Sequence, residues 1–215
     1  MLTDRTINPL NGGKPKSAVI LIHGLGDSSA GLIGLGEVWQ RGLPDTEFLA
    51  CDAPFPCDMA PFGFQWFSAQ DWSPPAVLAG VKKAAPYLNE YIDHVLTTRA
   101  LSPENLALVG FSQGTMMSLY VAPRRAPALA GVVGYSGALI GGESLPRERK
   151  SAPPIMLAHG TMDEVIPFSA MGHAEQGLQN VNINVTSFAR PGLGHSIDDI
   201  GLTEGIRFLR RIFGY

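Results

Sequence analysis

A serine lies at the centre of the sequence Gly-Phe-Ser-Gln-Gly, which spans residues 110–114 and matches the pattern G-x-S-x-G. An apolar run, residues 106–109, precedes the pattern, and a helix-length segment follows it. In this context the serine is expected on a tight bend between a strand and a helix, where flanking glycines let the chain turn without a Cβ clash. The pattern therefore predicts that Ser112 carries a nucleophilic hydroxyl.

A serine hydroxyl needs a base before it can act as a nucleophile, and the base follows it in chains with this pattern. The sequence contains five histidines: His23, His94, His159, His173 and His195. Only His173 and His195 lie beyond both the serine and a carboxylate that follows a predicted strand. Because His173 falls within a predicted helix and His195 lies in a glycine-rich loop, residues 191–196, His195 is predicted to be the base.

The base in turn needs a carboxylate that orients it. Asp163 follows the end of a predicted strand and is the preferred candidate. Asp198 and Asp199 are rivals, but they begin a predicted helix, where acidic residues are favoured by the helix dipole. Glu164 is the nearer competitor; the shorter Asp163 side chain, directly after the turn, is better fixed for orienting His195.

Two backbone N–H groups are candidates for stabilising an oxyanion. One belongs to Gln113, the residue after the predicted nucleophile, and the other is expected in the loop after an early strand. That loop reads His-Gly-Leu-Gly-Asp over residues 23–27. Its glycines leave the N–H groups unobstructed, so Leu25 is the predicted second donor. His23 is interpreted as a packed scaffold residue rather than a catalytic one.

The elements that must position these residues follow an alternating pattern of short apolar runs and longer helix-length segments, which predicts a mostly parallel sheet with crossover helices. Predicted strands cover residues 17–22, 46–51, 106–109, 130–135, 154–158 and 183–188, and predicted helices cover 75–99, 113–122, 168–179 and 197–213. Pro86 is expected to kink or interrupt the first helix. Ligands bind beyond the carboxyl ends of strands in such sheets, so the candidate residues should meet at one edge.

Composition limits the classes of function. The 215 residues are 45% hydrophobic and 16% charged, which predicts one globular domain over residues 1–215. A net charge of −3 without a basic cluster argues against a nucleic-acid partner. The first 16 residues lack the apolar core of a signal peptide, and no apolar run is long enough to span a bilayer, so a cytoplasmic location is expected. No metal site is predicted.

Four short segments that carry the candidate residues together resemble the family of acyl-protein thioesterases, carboxylesterases and lysophospholipases. They are residues 23–27, residues 110–114, the sequence His-Gly-Thr-Met-Asp at 159–163 with Ile166-Pro167 after it, and Gly194-His195. The resemblance runs from about residue 17 to the C-terminus. It implies a single-domain α/β-hydrolase fold with a minimal lid, which cleaves esters or thioesters through an acyl-enzyme without a cofactor. Leu25 and Gln113 match the oxyanion positions of the family.

An aromatic segment lies at residues 53–75. Six of the eighteen aromatic residues fall there: Phe55, Phe62, Phe64, Trp66, Phe67 and Trp72. About half are expected to fill the core and the others to wall an acyl pocket, because ligand sites are lined mainly by apolar side chains. Trp66 and Phe67 resemble the Trp-Phe pair near the acyl channel of the family and are the predicted substrate-binding residues.

Other functions stay open at this point. A dienelactone-type or peptide hydrolase could use the same fold, although dienelactone hydrolases of this architecture carry cysteine where this chain has Ser112. A catalytically inactive binding protein is the alternative from another class. The expected partner is a small-molecule ester or thioester, and burial of apolar surface in a homodimer remains open.

Overall fold

The computed structural model describes residues 2–215, which form a seven-stranded sheet and a separate two-stranded hairpin. The strands are β1 (Asp4–Ile7), β2 (Ser17–Ile22), β3 (Thr46–Cys51), β4 (Phe55–Pro56), β5 (Phe64–Gln65), β6 (Leu106–Phe111), β7 (Gly131–Tyr135), β8 (Ile155–Gly160) and β9 (Val185–Arg190). The main sheet has the order β1-β3-β2-β6-β7-β8-β9. Only β1 is antiparallel to its neighbour, which confirms the predicted mostly parallel sheet.

Helices cover both faces of the sheet. They are α1 (Ser29–Leu32), α2 (Gly34–Trp39), α3 (Pro74–Arg99), α4 (Gln113–Val121), α5 (Leu145–Glu148), α6 (Ser169–Gln179) and α7 (Asp199–Phe213). Buried side chains of α3, α4 and α6 pack on one face, and those of α2 and α7 pack on the other. Successive side chains of β2 point to opposite faces of the sheet, so Ile20 belongs to one core and Leu21 to the other. This two-sided burial explains why β2 is apolar over five consecutive residues, 18–22.

The predicted strands and long helices are confirmed, with ends shifted by at most two residues. α3 continues through Pro86, so the helix is not interrupted there, which was one of the two effects expected of this proline. Pro86 lies on the exposed side, whereas Val81, Leu88 and Ile92 are fully buried against the sheet. Burial of these three apolar side chains outweighs the cost of an internal proline, which is about 3 kcal/mol. The sequence did not predict the short elements β1, β4, β5, α1, α2 and α5.

The loops after β2, β6, β8 and β9 emerge at one edge because these strands are parallel. The chain between β3 and α3 contains only the hairpin β4–β5, and the chain between β7 and β8 contains only the four-residue α5. The lid over this edge is therefore small, as expected. In the described part of the chain, every helix is too short or too polar to cross a membrane.

Candidate active site

Ser112 forms the turn between β6 and α4. Its backbone has φ 54° and ψ −118°, a conformation that residues with a side chain seldom adopt. The turn is fixed on both sides: the Ser112 N–H donates to the carbonyl oxygen of Tyr135 at 3.0 Å, and its own carbonyl accepts from the N–H of Met116 at 3.1 Å. The serine is therefore held on a strained, rigid bend, with 7% of the residue exposed.

The two glycines of the turn are required by close packing. A Cβ on Gly114 would lie 1.8 Å from the carbonyl oxygen of Ile22, and one on Gly110 would lie 2.4 Å from the carbonyl carbon of Gly114. The start of α4 thus lies directly against the end of β2. A Cβ on Gly24 would lie 3.1 Å from the Cβ of Ser112, so the serine is also beside the loop that follows β2.

Asp163 and His195 meet at the same edge of the sheet. Nδ1 of His195 lies 2.8 Å from Oδ2 of Asp163, although the two residues follow different strands, β8 and β9. The His195 ring also packs against the ring of Phe111, with 4.9 Å between the centroids. Because Phe111 directly precedes Ser112, this contact brings the histidine to the serine turn. The structure therefore gathers the predicted nucleophile, base and acid in one corner.

The Asp163 carboxylate is fully buried and accepts hydrogen bonds on both oxygens. Its Oδ1 accepts from the backbone N–H groups of Val165 and Ile166, each at 2.9 Å. Burial alone would raise the pKa of Asp163, but the hydrogen bonds from His195, Ile166 and Val165 outweigh burial and hold that pKa below its ordinary value. The carboxylate is therefore ionised at neutral pH.

The rival carboxylates lie elsewhere. Asp198 caps α7 by accepting from the N–H of Gly201 at 2.8 Å, and it also binds the guanidinium of Arg190 at 2.9 Å. The Arg190 contact lowers the pKa of Asp198. Asp199 and Glu164 are exposed. Asp198 thus has a structural role, in which it joins the end of β9 to the start of α7 across the intervening loop.

Two backbone N–H groups near Ser112 lack an acceptor. Within residues 2–215, neither the N–H of Gln113 nor that of Leu25 donates a hydrogen bond to the protein. Gln113 begins α4, where the helix offers no internal acceptor. Leu25 follows Gly24 in the loop that packs against the serine. The two N–H groups that the sequence singled out therefore have no acceptor in the part of the protein that the structure describes.

Trp66 and Phe67 lie in the scaffold rather than at a substrate surface. They are 0% and 2% exposed, respectively. The side chain of Gln113 holds their backbone: its Oε1 accepts from the Trp66 N–H at 3.0 Å, and its Nε2 donates to the Phe67 carbonyl at 2.9 Å. The indole N–H of Trp66 donates to the carbonyl of His23 at 3.1 Å. This placement revises their expected role, because the pair ties together the two segments that carry the free N–H groups.

An apolar groove of about 790 Å³ opens beside α4. Its lining includes Trp72, Leu78, Met116, Leu139, Ile140 and Ile166. Met116 lies one helical turn beyond Ser112, and Ile166 lies three residues beyond Asp163, so the groove adjoins the serine corner. Of the six aromatic residues singled out in the sequence, Trp72 alone lines it.

Arg124 supports one wall of this groove. Its guanidinium binds Oε2 of Glu148 at 2.7 Å, the carbonyl oxygen of Gly141 at 2.9 Å and Oγ of Ser144 at 3.1 Å. Gly141 and Ser144 line the groove, which has little regular structure on this side. The sequence alone did not indicate this role of Arg124, because the groove-wall residues that it binds lie 17 and 20 residues away and share no local pattern with it.

His23 has the contacts of a scaffold residue, consistent with the interpretation from the sequence. Its Nδ1 lies 2.6 Å from the carbonyl oxygen of Gly24, and its Nε2 accepts from the N–H of Ala53 at 2.9 Å. Burial lowers the pKa of His23, which favours the neutral ring that these partners require. Within residues 2–215, His, Cys, Asp and Glu side chains form no group of three or more arranged to hold a metal ion.

Comparison with known proteins gives consistent matches. Residues 8–213 match the model of the phospholipase/carboxylesterase family. The chain is 30% identical to acyl-protein thioesterase 1 of Emericella nidulans, over 93% of this chain and 91% of that protein. It is 29% identical to the esterase YpfH of Escherichia coli, over 92% and 84%. The crystal structure of esterase PE8 superposes with a TM-score of 0.95 at 36% identity, covering 98% of this chain and 99% of that one.

Proposed function

The chain belongs to the phospholipase/carboxylesterase family, and on that premise we propose that Ser112, His195 and Asp163 hydrolyse a carboxylic ester or thioester through an acyl-enzyme. The chain is an esterase-type serine hydrolase with the α/β-hydrolase fold. One observation carries the residue assignment: His195 Nδ1 lies 2.8 Å from Asp163 Oδ2 at the edge where Ser112 follows β6.

In the first half of the reaction, Oγ of Ser112 attacks the acyl carbon while Nε2 of His195 takes the hydroxyl proton. The carbonyl oxygen becomes negatively charged and binds the N–H groups of Leu25 and Gln113. Collapse of this tetrahedral species breaks the bond to the leaving group. The alcohol or thiol departs with the proton from His195, and the acyl group remains on the serine.

In the second half, water replaces the leaving group. His195 takes a proton from the water, whose oxygen attacks the acyl carbon, and the same two N–H groups again bind the oxyanion. The acid is released when the bond to Ser112 breaks and the serine oxygen recovers the proton. Asp163 keeps Nδ1 of His195 protonated throughout, which leaves Nε2 free to accept.

The apolar groove beside α4 supports an acyl group as the part of the substrate that binds there. Met116 and Ile166 connect the groove with the serine corner, and its walls are mainly apolar. The groove is open and the lid is small, which favours short to medium acyl chains, since long chains would remain partly in water. We therefore assign contact with the acyl chain to the residues that line the groove, in place of Trp66 and Phe67.

The proposal is tested with p-nitrophenyl acetate and a fluorophosphonate probe in the presence of EDTA. Wild type should hydrolyse the ester and take up the probe at Ser112, and Ser112→Ala should lower kcat by on the order of 10⁵ to 10⁶ while leaving the fold intact. Activity in the variant, or label on another residue, would contradict the assignment. Wild type without activity on any ester from acetate to palmitate would favour an inactive binding protein.

A further inference from the structure

The loop after β2 forms a tight turn with Leu25 and Gly26 at its centre. The N–H of Asp27 closes the turn by donating to the carbonyl oxygen of Gly24 at 3.4 Å, and Gly26 has a φ of +78°. The N–H of Gly26 donates to the carbonyl oxygen of Phe64 at 2.9 Å, whereas the N–H of Leu25 has no acceptor within residues 2–215. The turn therefore presents one unused central N–H group, that of Leu25.

The hairpin β4–β5 holds this turn in place. Phe64 accepts from Gly26 and also donates its own N–H to the carbonyl oxygen of Asp27 at 2.8 Å, so two backbone hydrogen bonds join the turn to β5. Gly63 has a φ of +76°, and a Cβ on it would lie 2.1 Å from the carbonyl oxygen of Gly26. A side chain at residue 63 would therefore displace either the hairpin or the turn that carries Leu25.

The same stretch of chain continues into the two residues that hold Gln113. The side chain of Gln113 accepts from the N–H of Trp66 at 3.0 Å and donates to the carbonyl oxygen of Phe67 at 2.9 Å. Gln113 is 0% exposed, so water does not compete for these bonds. Residues 63–67, which we call the clamp segment, thus contact both the turn around Leu25 and the side chain of the residue that carries the other unused N–H group.

We propose that the clamp segment sets the relative position of the two N–H groups that bind the oxyanion. The inference rests on the proposed function. Leu25 and Gln113 follow different strands, β2 and β6, so neither loop alone determines the spacing of their N–H groups. An oxyanion is stabilised only when both donors lie within about 2.7–3.1 Å of the same oxygen. The clamp segment is a positioning element, because it acts on the reaction only through these two residues.

Gly63→Ala tests the contact with the turn, and Gly12→Ala is its matched control. Gly12 has a φ of +67°, and no atom lies within 4 Å of the position that a Cβ would take, so alanine there meets the same backbone strain without a clash. We expect kcat per titrated serine to fall about 10- to 100-fold in Gly63→Ala with little change in KM, since loss of a whole donor costs about 10²- to 10³-fold. Gly12→Ala should keep the wild-type kcat.

A hexyl trifluoromethyl ketone separates damage to the oxyanion site from loss of folded protein. Oγ of Ser112 adds to its carbonyl carbon, His195 takes the hydroxyl proton, and the carbonyl oxygen becomes an oxyanion that the two N–H groups bind. The Ki of this ketone should rise in Gly63→Ala by the same factor by which kcat/KM falls. A role confined to stability would leave the Ki of the titrated enzyme unchanged.

Gln113→Met tests the other half of the clamp, including the case in which Gly63→Ala does not fold. Methionine keeps the backbone N–H and the length of the side chain but removes both hydrogen bonds to Trp66 and Phe67. Folded Gln113→Met should therefore show a parallel loss of kcat and of affinity for the ketone.

The measurements are hydrolysis of p-nitrophenyl acetate and inhibition by the ketone, with active serines counted by fluorophosphonate titration and the fold checked by far-UV circular dichroism. Wild-type kcat and Ki in either folded variant, a fall in kcat with unchanged Ki, or an equal loss in Gly12→Ala would each overturn the proposal. Ser112→Ala is measured in parallel. If it retains activity, the proposed function fails as well; if it is inactive, such a result refutes the role of the clamp segment alone.

Discussion

Asp163→Asn replaces one carboxylate oxygen by an amide NH₂, and the structure decides which oxygen is lost. If the NH₂ faced Val165 and Ile166, it would oppose two buried backbone N–H groups, each left unsatisfied at a cost of about 1–3 kcal/mol. The alternative places the NH₂ against His195 and His159. His195 can adapt, because its Nδ1 becomes an acceptor when the ring proton moves to Nε2.

That adaptation removes the catalytic base. With the proton on Nε2, His195 has no lone pair for the Ser112 hydroxyl, so kcat should fall by about 10⁴, equivalent to about 5.5 kcal/mol in the activation barrier. Asp198→Asn is the matched control at a rival carboxylate. Asparagine caps a helix as well as aspartate does, and the partly exposed ion pair with Arg190 contributes about 1 kcal/mol or less. Its activity should stay within about threefold of wild type.

The assay compares wild type, Asp163→Asn, Asp198→Asn and Asp199→Asn by steady-state hydrolysis of p-nitrophenyl acetate, with far-UV circular dichroism to confirm the fold. Asp199 is exposed in the first turn of α7, so its replacement should have little effect on kcat. A folded Asp163→Asn with activity within tenfold of wild type would refute the reasoning. If activity were lost only in folded Asp198→Asn, the carboxylate that orients His195 would be Asp198, at the start of α7.

Two further predictions concern the groove and its scaffold. Since each buried methylene contributes roughly 0.8 kcal/mol, kcat/KM for p-nitrophenyl esters should rise about three- to fourfold per added carbon and then level off. Arg124→Met should flatten this rise, because it releases the groove wall at Gly141 and Ser144. An unchanged slope would contradict that role of Arg124. Trp66→Ala should lower the free energy of unfolding by about 3–5 kcal/mol in urea titrations. Unchanged stability together with a flattened chain-length profile would instead show that Trp66 contacts the substrate.

Local patterns in the sequence predicted most of the fold. The strand, turn and helix around Ser112 follow from spacing within a dozen residues, because a backbone bend needs small flanking residues and a buried strand needs apolar ones. The same holds for the central strands β2, β7 and β8, which are buried on both faces and are therefore mainly apolar in sequence. Short elements with few buried residues, such as β1, carry too little pattern to be predicted.

Chain order narrowed the site but did not complete it. The sequence left Asp163 in competition with Asp198 and Glu164, since each carboxylate is near a predicted strand end or helix start. The tertiary structure brings Asp163 to His195 and pairs Asp198 with Arg190. Those pairings depend on how β8 and β9 lie side by side, which no local pattern encodes.

The sequence by itself determined six strands of the main sheet, the bend at Ser112 and the set of candidate residues that could act with this serine. Only the tertiary structure decided that Trp66 is buried and hydrogen-bonded to Gln113 and His23. The same is true of the position of His159, whose Nε2 lies 3.2 Å from Oδ2 of Asp163. The physical reason is the range of the interactions. Turn geometry and strand burial act between near neighbours, whereas burial of an aromatic side chain and the partners of a carboxylate depend on segments that meet only after folding.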